Sequence, residues 1–230
     1  MDIHKPKPWH GLREFLKEYV IIVVGVLTAL AAESGVEWLH WRHAVAEARA
    51  ALHEEIAGQT RFYRIRVALA PCVDRHMAAT QGLIDSAARD GRTVGVQGVA
   101  MRLGQRLDVG EWGAEEAAQT LVHVPRQERS LLATFYRQTQ DMMAWRDEET
   151  RAWDELSVLD GPARPISEAE LAQLRARLKR VEHLEVLISL NAVDQLDRAR
   201  RLGVQAPVLD EAWRDRCHEI APTGQPAQRP

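Results

Sequence analysis

Residues 19–32 read Tyr19-Val-Ile-Ile-Val-Val-Gly25-Val-Leu-Thr-Ala29-Leu30-Ala-Ala32, fourteen positions without a charge, with Lys17-Glu18 before them and Glu33 after. No other stretch of the chain is so apolar. As a helix the run rises about 21 Å, short of the roughly 30 Å hydrocarbon core of a bilayer. Its flanks lengthen it: Leu12, Phe15 and Leu16 precede it, and Val36, Trp38 and Leu39 follow it at helical spacing. Tyr19 and Trp38 then stand about 28 Å apart along a helix, the separation expected of the two aromatic belts of a span. Arg13 and Lys17 can carry their charges to the headgroups on long apolar stems. Glu33 falls near the far boundary and must reach water, pair, or be protonated.

Three readings of this segment compete. A buried core helix of a soluble protein would be expected to keep a polar face, and these fourteen residues have none. A cleavable secretory signal fits the basic residues upstream and the small-x-small sequence Ala29-Leu30-Ala31. An uncleaved signal anchor fits the long leader, which contains Glu14 and Glu18. The anchor is the preferred reading. Lys5, Lys7, Arg13 and Lys17 precede the run, while Arg42 and Arg49 follow it, so the N-terminus is expected in the cytoplasm.

The 230 residues average to something ordinary: 46% hydrophobic, 27% charged, net charge -3 and a mean hydropathy of -0.32. Fourteen glycines and ten prolines exclude a collagen-like chain. Balanced charge argues against a dedicated nucleic-acid binder, which needs an excess of Lys and Arg to neutralise phosphates. Two cysteines, Cys72 and Cys217, are too few for a disulfide scaffold or a Cys-based zinc site. In a domain outside the cytoplasm they could form one disulfide, with free buried thiols as the alternative.

The segment Glu18-Tyr-Val-Ile-Ile-Val-Val-Gly25-Val-Leu-Thr-Ala29-Leu30 resembles the span of a group of uncharacterised bacterial single-pass membrane proteins, whose pattern is E-I-V-L-V-V-I-G-I-L-I-A-L. Glu18, Gly25, Ala29 and Leu30 fall on matching positions, and Trp38 and Trp41 follow as a Trp does there. The Asn-rich segment frequent in that group is replaced here by Ala32-Glu33-Ser34-Gly35. The resemblance covers about thirty residues. It implies a topology and no catalytic activity.

Beyond the span the pattern is helical, and the expected fold is all-α. Val45, Ala48, Leu52, Ile56, Tyr63 and Val67 share a face that predicts a long helix to Ala70, ended or kinked by Pro71. A second helix is expected over 72–89, with Val73, Met77, Thr80 and Ile84 inward. Six glycines between Gly91 and Gly113 predict a mobile connector; Gly95-Val96-Gln97-Gly98 lacks the spacing of a phosphate-binding loop. A short helix is expected over 114–124. The next, opening at Pro125 and running to about Leu159, should turn Leu132, Phe135, Thr139, Met142, Trp153 and Leu156 inward.

Ser167, Glu170, Ile166 and Leu171 spell a capping box with a hydrophobic staple. The helix they open carries a 3-4 alternation of Leu171, Leu174, Leu178, Val181, Glu185, Ile188, Ala192, Gln195, Ala199 and Leu202, closed by Gly203. Leu171, Leu174, Leu178, Val181 and Ile188 are a candidate seam for a protein partner or a second copy, with packing inside the bundle as the preferred reading. A short helix over 210–219 and a disordered tail over 221–230 complete the expected order.

The expected organisation is a cytoplasmic leader (1–18), a transmembrane helix (19–39), a periplasmic bundle (40–220) with a Gly-rich connector (91–113), and the tail. Candidate chemistry is sparse. Glu37, His40, His43 and Glu47 share a helical surface, but a di-iron site needs a second Glu-x-x-His that the other histidines do not supply. No serine elbow, Walker loop or zinc-protease motif occurs, and no cofactor or metal is expected. The function that follows is interaction or sensing at the outer face of a bacterial inner membrane, with the bilayer and a protein as partners. A secreted helical binding module and an enzyme without a recognisable motif are the alternatives.

Overall fold

The structure is a computed structural model of the chain, and it describes residues 11–101, 107–209 and 221–222. It is all-α. Four α-helices lie among the described residues: α1 (Leu12–Asp90), α2 (Gly110–Ala117), α3 (Arg126–Leu156) and α4 (Glu168–Arg201). Short 3₁₀ turns, Thr120–His123 and Ser157–Leu159, precede and follow α3.

Helix α1 runs 79 residues without a break, so the two helices expected on either side of Pro71 are one. Pro71 removes one backbone donor and crowds the carbonyl of Val67. Both residues lie on the solvent side of α1, where water can hydrate the freed carbonyl. Burial of Cys72 and Val73 on the opposite side holds the helix through the defect. The same geometry corrects the expected inward position of Val67: Arg66 takes the core place and Val67 is exposed.

The three long helices form the bundle. Arg49 meets Glu128 and Arg66 meets Glu149, so α3 runs parallel to α1. Arg177 meets Glu155 while Gln195 meets Phe135, so α4 returns antiparallel and packs against both. Joining two parallel helices takes a connection as long as the bundle, and residues 91–125 supply it. The described part of 91–113 is not the loose connector expected from its glycines. Thr93, Val96, Val99, Met101 and Leu107 are buried. The Val96 and Gly161 amides exchange hydrogen bonds of 3.1 and 2.7 Å, and the Val99 amide donates to Asp160 at 2.9 Å.

Strand β1 (Val96–Gln97) pairs antiparallel with β2 (Ala221–Pro222). The expected disordered tail is therefore corrected at its first two residues. Pro222 lacks an N–H but is tolerated in an edge strand. The helix expected over 210–219 and residues 223–230 lie outside the described residues. The expected helix over 114–124 is instead α2, from Gly110, followed by a 3₁₀ turn; Gln119 between them takes φ 60°.

Helix α4 begins and ends as its sequence specifies. Ser167 Oγ accepts from the Glu170 amide at 3.2 Å, and Ile166 packs on the cluster that holds Leu171. Only half of the box forms, because the Glu170 carboxylate takes the Arg164 guanidinium. At the far end Gly203 has φ 81°; its amide donates to Arg200 O at 3.0 Å, and the Val204 amide donates to Ala199 O at 2.9 Å. These two bonds are the Schellman pair that satisfies the last carbonyls.

Two substitutions test this account. Pro71→Ala restores a backbone donor in an otherwise continuous helix, so thermal unfolding of the variant should show a gain of about 1–3 kcal/mol. Leu174→Ala, at a fully buried position, should cost about 2–5 kcal/mol in the same measurement.

Candidate functional site

The segment expected to span a membrane stands clear of the bundle. Residues 12–40 are all helical and, apart from half-buried Val23, all exposed. An 18-residue window in α1 has a mean hydropathy of 2.0 and none of it is buried. By length and composition α1 is able to cross a bilayer. Tyr19, Leu30 and Trp38 are exposed, and Ala29 with them. A Cβ added at Gly25 would meet nothing within 4 Å. Phe15 and Tyr19 stack at one end of the segment with ring centroids 6.4 Å apart, and at the other end the Arg42 guanidinium lies 4.6 Å over the Trp38 ring.

The seam Leu171, Leu174, Leu178, Val181 and Ile188 lies inside the molecule, with every one of the five buried. Its partners are α1 and α3 of the same chain, which corrects the candidate partner seam and leaves packing inside the bundle. What α4 turns outward is a different row: Val186, Leu190 and Val193, exposed by 56, 65 and 56%. Their i, i+4, i+7 spacing places them on one stripe.

Cys72 is buried in α1 and is disulfide-bonded. Cys217 lies outside the described residues. Glu37, His40, His43 and Glu47 are exposed, and among the described residues no three metal-ligating side chains converge.

The titratable cluster that sequence reasoning missed is deep in the core. Arg66 Nη2 from α1 donates to Glu149 Oε1 of α3 at 2.9 Å and to Glu185 Oε2 of α4 at 2.5 Å. All three residues are buried, Arg66 to 1% exposure. Ser189, one turn on from Glu185, donates to its other oxygen at 2.9 Å. One guanidinium faces two carboxylates, so with both ionised the cluster would hold an uncompensated buried negative charge. Burial, opposed by Arg66 and helped by Glu149, raises the Glu185 carboxyl to about 7. The group is therefore a proton holder in the neutral range.

A second polar network lies nearer the apolar segment. Tyr63 Oη and Thr139 Oγ1 are 2.8 Å apart, and Gln195 Nε2 donates to Phe135 O at 2.8 Å and to Thr139 Oγ1 at 3.1 Å. Burial raises the Tyr63 hydroxyl above its ordinary value, so it stays protonated. These bonds satisfy polar groups and orient nothing toward solvent.

The chain matches no family model, no curated protein and no solved structure.

The cluster predicts a pH dependence of stability. The folded carboxyl of Glu185 sits above its ordinary value of 4.5. Between those two values the folded state binds more protons than the unfolded one, so stability falls as pH rises from about 4.5 through about 7. Urea unfolding at pH 5 and pH 8 should show a higher midpoint at pH 5, and Glu185→Gln should flatten the difference. Arg66→Ala leaves two buried carboxylates without their cation and should cost about 3–5 kcal/mol, whereas the triple R66M/E149L/E185L should recover most of that loss.

Proposed function

We propose that this protein is a bitopic membrane protein whose residues 19–39 span a bacterial inner membrane and whose helical bundle stands on the periplasmic side, where it holds or senses a protein partner. The observation that carries the reading is the bare apolar stretch of α1, which no part of the described chain covers. In water such a surface would be a large aggregation liability; in a bilayer it is in its own solvent. The backbone stays helical through Ala29-Leu30-Ala31 without a break. The long leader, which contains Glu14 and Glu18, favours a retained anchor over a cleaved signal.

Orientation rests on the four basic residues of the leader against Arg42 and Arg49 after the span. The disulfide at Cys72 agrees with an oxidising compartment. The resemblance of residues 18–30 to uncharacterised single-pass proteins supports the same topology. For the partner, the row Val186, Leu190 and Val193 offers an apolar stripe of helical spacing, suited to an amphipathic helix laid alongside.

The topology is tested with alkaline phosphatase and green fluorescent protein fused in turn to the C-terminus. Phosphatase activity without fluorescence is the expected result; fluorescence alone would reverse the orientation, and release of the chain by alkaline carbonate would remove the span. The partner is tested with a photo-crosslinking residue at position 190 in intact membranes, which should give one discrete adduct. Val193→Asp in the same crosslinking chain should abolish the adduct while shifting unfolding by no more than about 0.5 kcal/mol, since the side chain is exposed.

A further inference from the structure

We propose that the elbow which the 3₁₀ turn Thr120–His123 makes below α2 is a second membrane contact, seated in the lipid headgroup layer beside the point where α1 leaves the bilayer. The inference rests on the reading of residues 19–39 as the span.

Depth along α1 carries the argument. With Trp38 in the aromatic belt at the hydrocarbon boundary, Trp41 stands about 4.5 Å farther out. The headgroup layer is roughly 5–7 Å thick on each side of the hydrocarbon. Trp41 is thus within that layer, and so is whatever packs on it. The residue that packs on it is His123, from a turn some eighty positions later in the chain: the two rings stack with centroids 3.8 Å apart and an interplanar angle of 20°.

The turn is built for such a place. Leu121 and Val124 point into the core and are buried, whereas Val122 between them is 63% exposed. Its side chain has the apolar surface that a headgroup layer receives and bulk water does not favour. The carbonyls of Leu121 and Val122 accept from Arg129 Nη1 at 3.3 and 3.2 Å, which lowers the cost of bringing an irregular backbone close to lipid. A span together with this contact would fix the tilt of the bundle, since a rod held at two points cannot swing about one.

The test uses the full chain in phosphatidylcholine vesicles, with a polarity-sensitive fluorophore on a cysteine placed at Val122, at Leu27 in the span, or at Val158 in the turn after α3. The unsubstituted chain, labelled in parallel, corrects for any dye taken up at the native cysteines. Quenching is read with a phosphatidylcholine carrying a nitroxide near its headgroup. The expected result is a blue-shifted emission at 122, quenched several-fold more than at 158, with 158 behaving as in water. Probe 27 in hydrocarbon and probe 122 indistinguishable from 158 would overturn the elbow contact alone. Probe 27 in water would overturn the span and the elbow together.

Discussion

One guanidinium shared by two carboxylates organises this molecule. Arg66, Glu149 and Glu185 come one from each long helix, and they lie at the junction of two apolar clusters. On one side are Leu52, Ile56, Tyr63, Phe135, Met142 and Ile188; on the other are Leu69, Val73, Trp153, Leu156, Leu174 and Val181. Apolar side chains at heptad spacing tolerate sliding, because one leucine packs much like the next. A charged residue does not. Displacing any one helix by a turn would bury a carboxylate or a guanidinium among aliphatic groups, at a cost of several kcal/mol per ion. The cluster is a poor source of net stability and an effective lock on register.

Helix α4 was the most legible element. All ten positions of its 3-4 alternation are buried, including Glu185 and Gln195, the two polar exceptions. Those exceptions were the signal for the polar clusters, and their partners were hidden for a physical reason. The core face of α1 follows a strict seven-residue repeat, Val45, Leu52, Gln59, Arg66, Val73, Thr80 and Ala87, all buried. Three of the seven are polar, so a search for apolar periodicity stepped from Tyr63 to Val67 and passed over Arg66. Pro71 misled for a related reason: a rule about single residues was outweighed by burial on the opposite face. The glycines of the connector likewise describe backbone freedom, while Val96, Val99 and Met101 determine where that backbone is held.

The candidate site divides in the same way. The exposed apolar helix was legible because fourteen uncharged residues are a local signal. The exposed row on α4 was not, since whether Val186 or Ile188 faces solvent depends on which side α1 and α3 occupy. The elbow beside Trp41 was out of reach for the same reason: His123 and Trp41 are brought together by a connection that runs back along the whole bundle.

Parallel placement of α1 and α3 also sets an order of assembly. The end of α1 and the start of α4, its main packing partner, are separated by about eighty residues, which a ribosome adds over roughly 4–16 s. Throughout that interval the heptad face of α1 is already synthesised and lacks its main cover, α4. The α3–α4 hairpin, by contrast, closes over a short loop and can form as soon as it emerges. Arg66 waits longest, for Glu185 is made last of the three. Its charge keeps the uncovered face of α1 from being uniformly apolar.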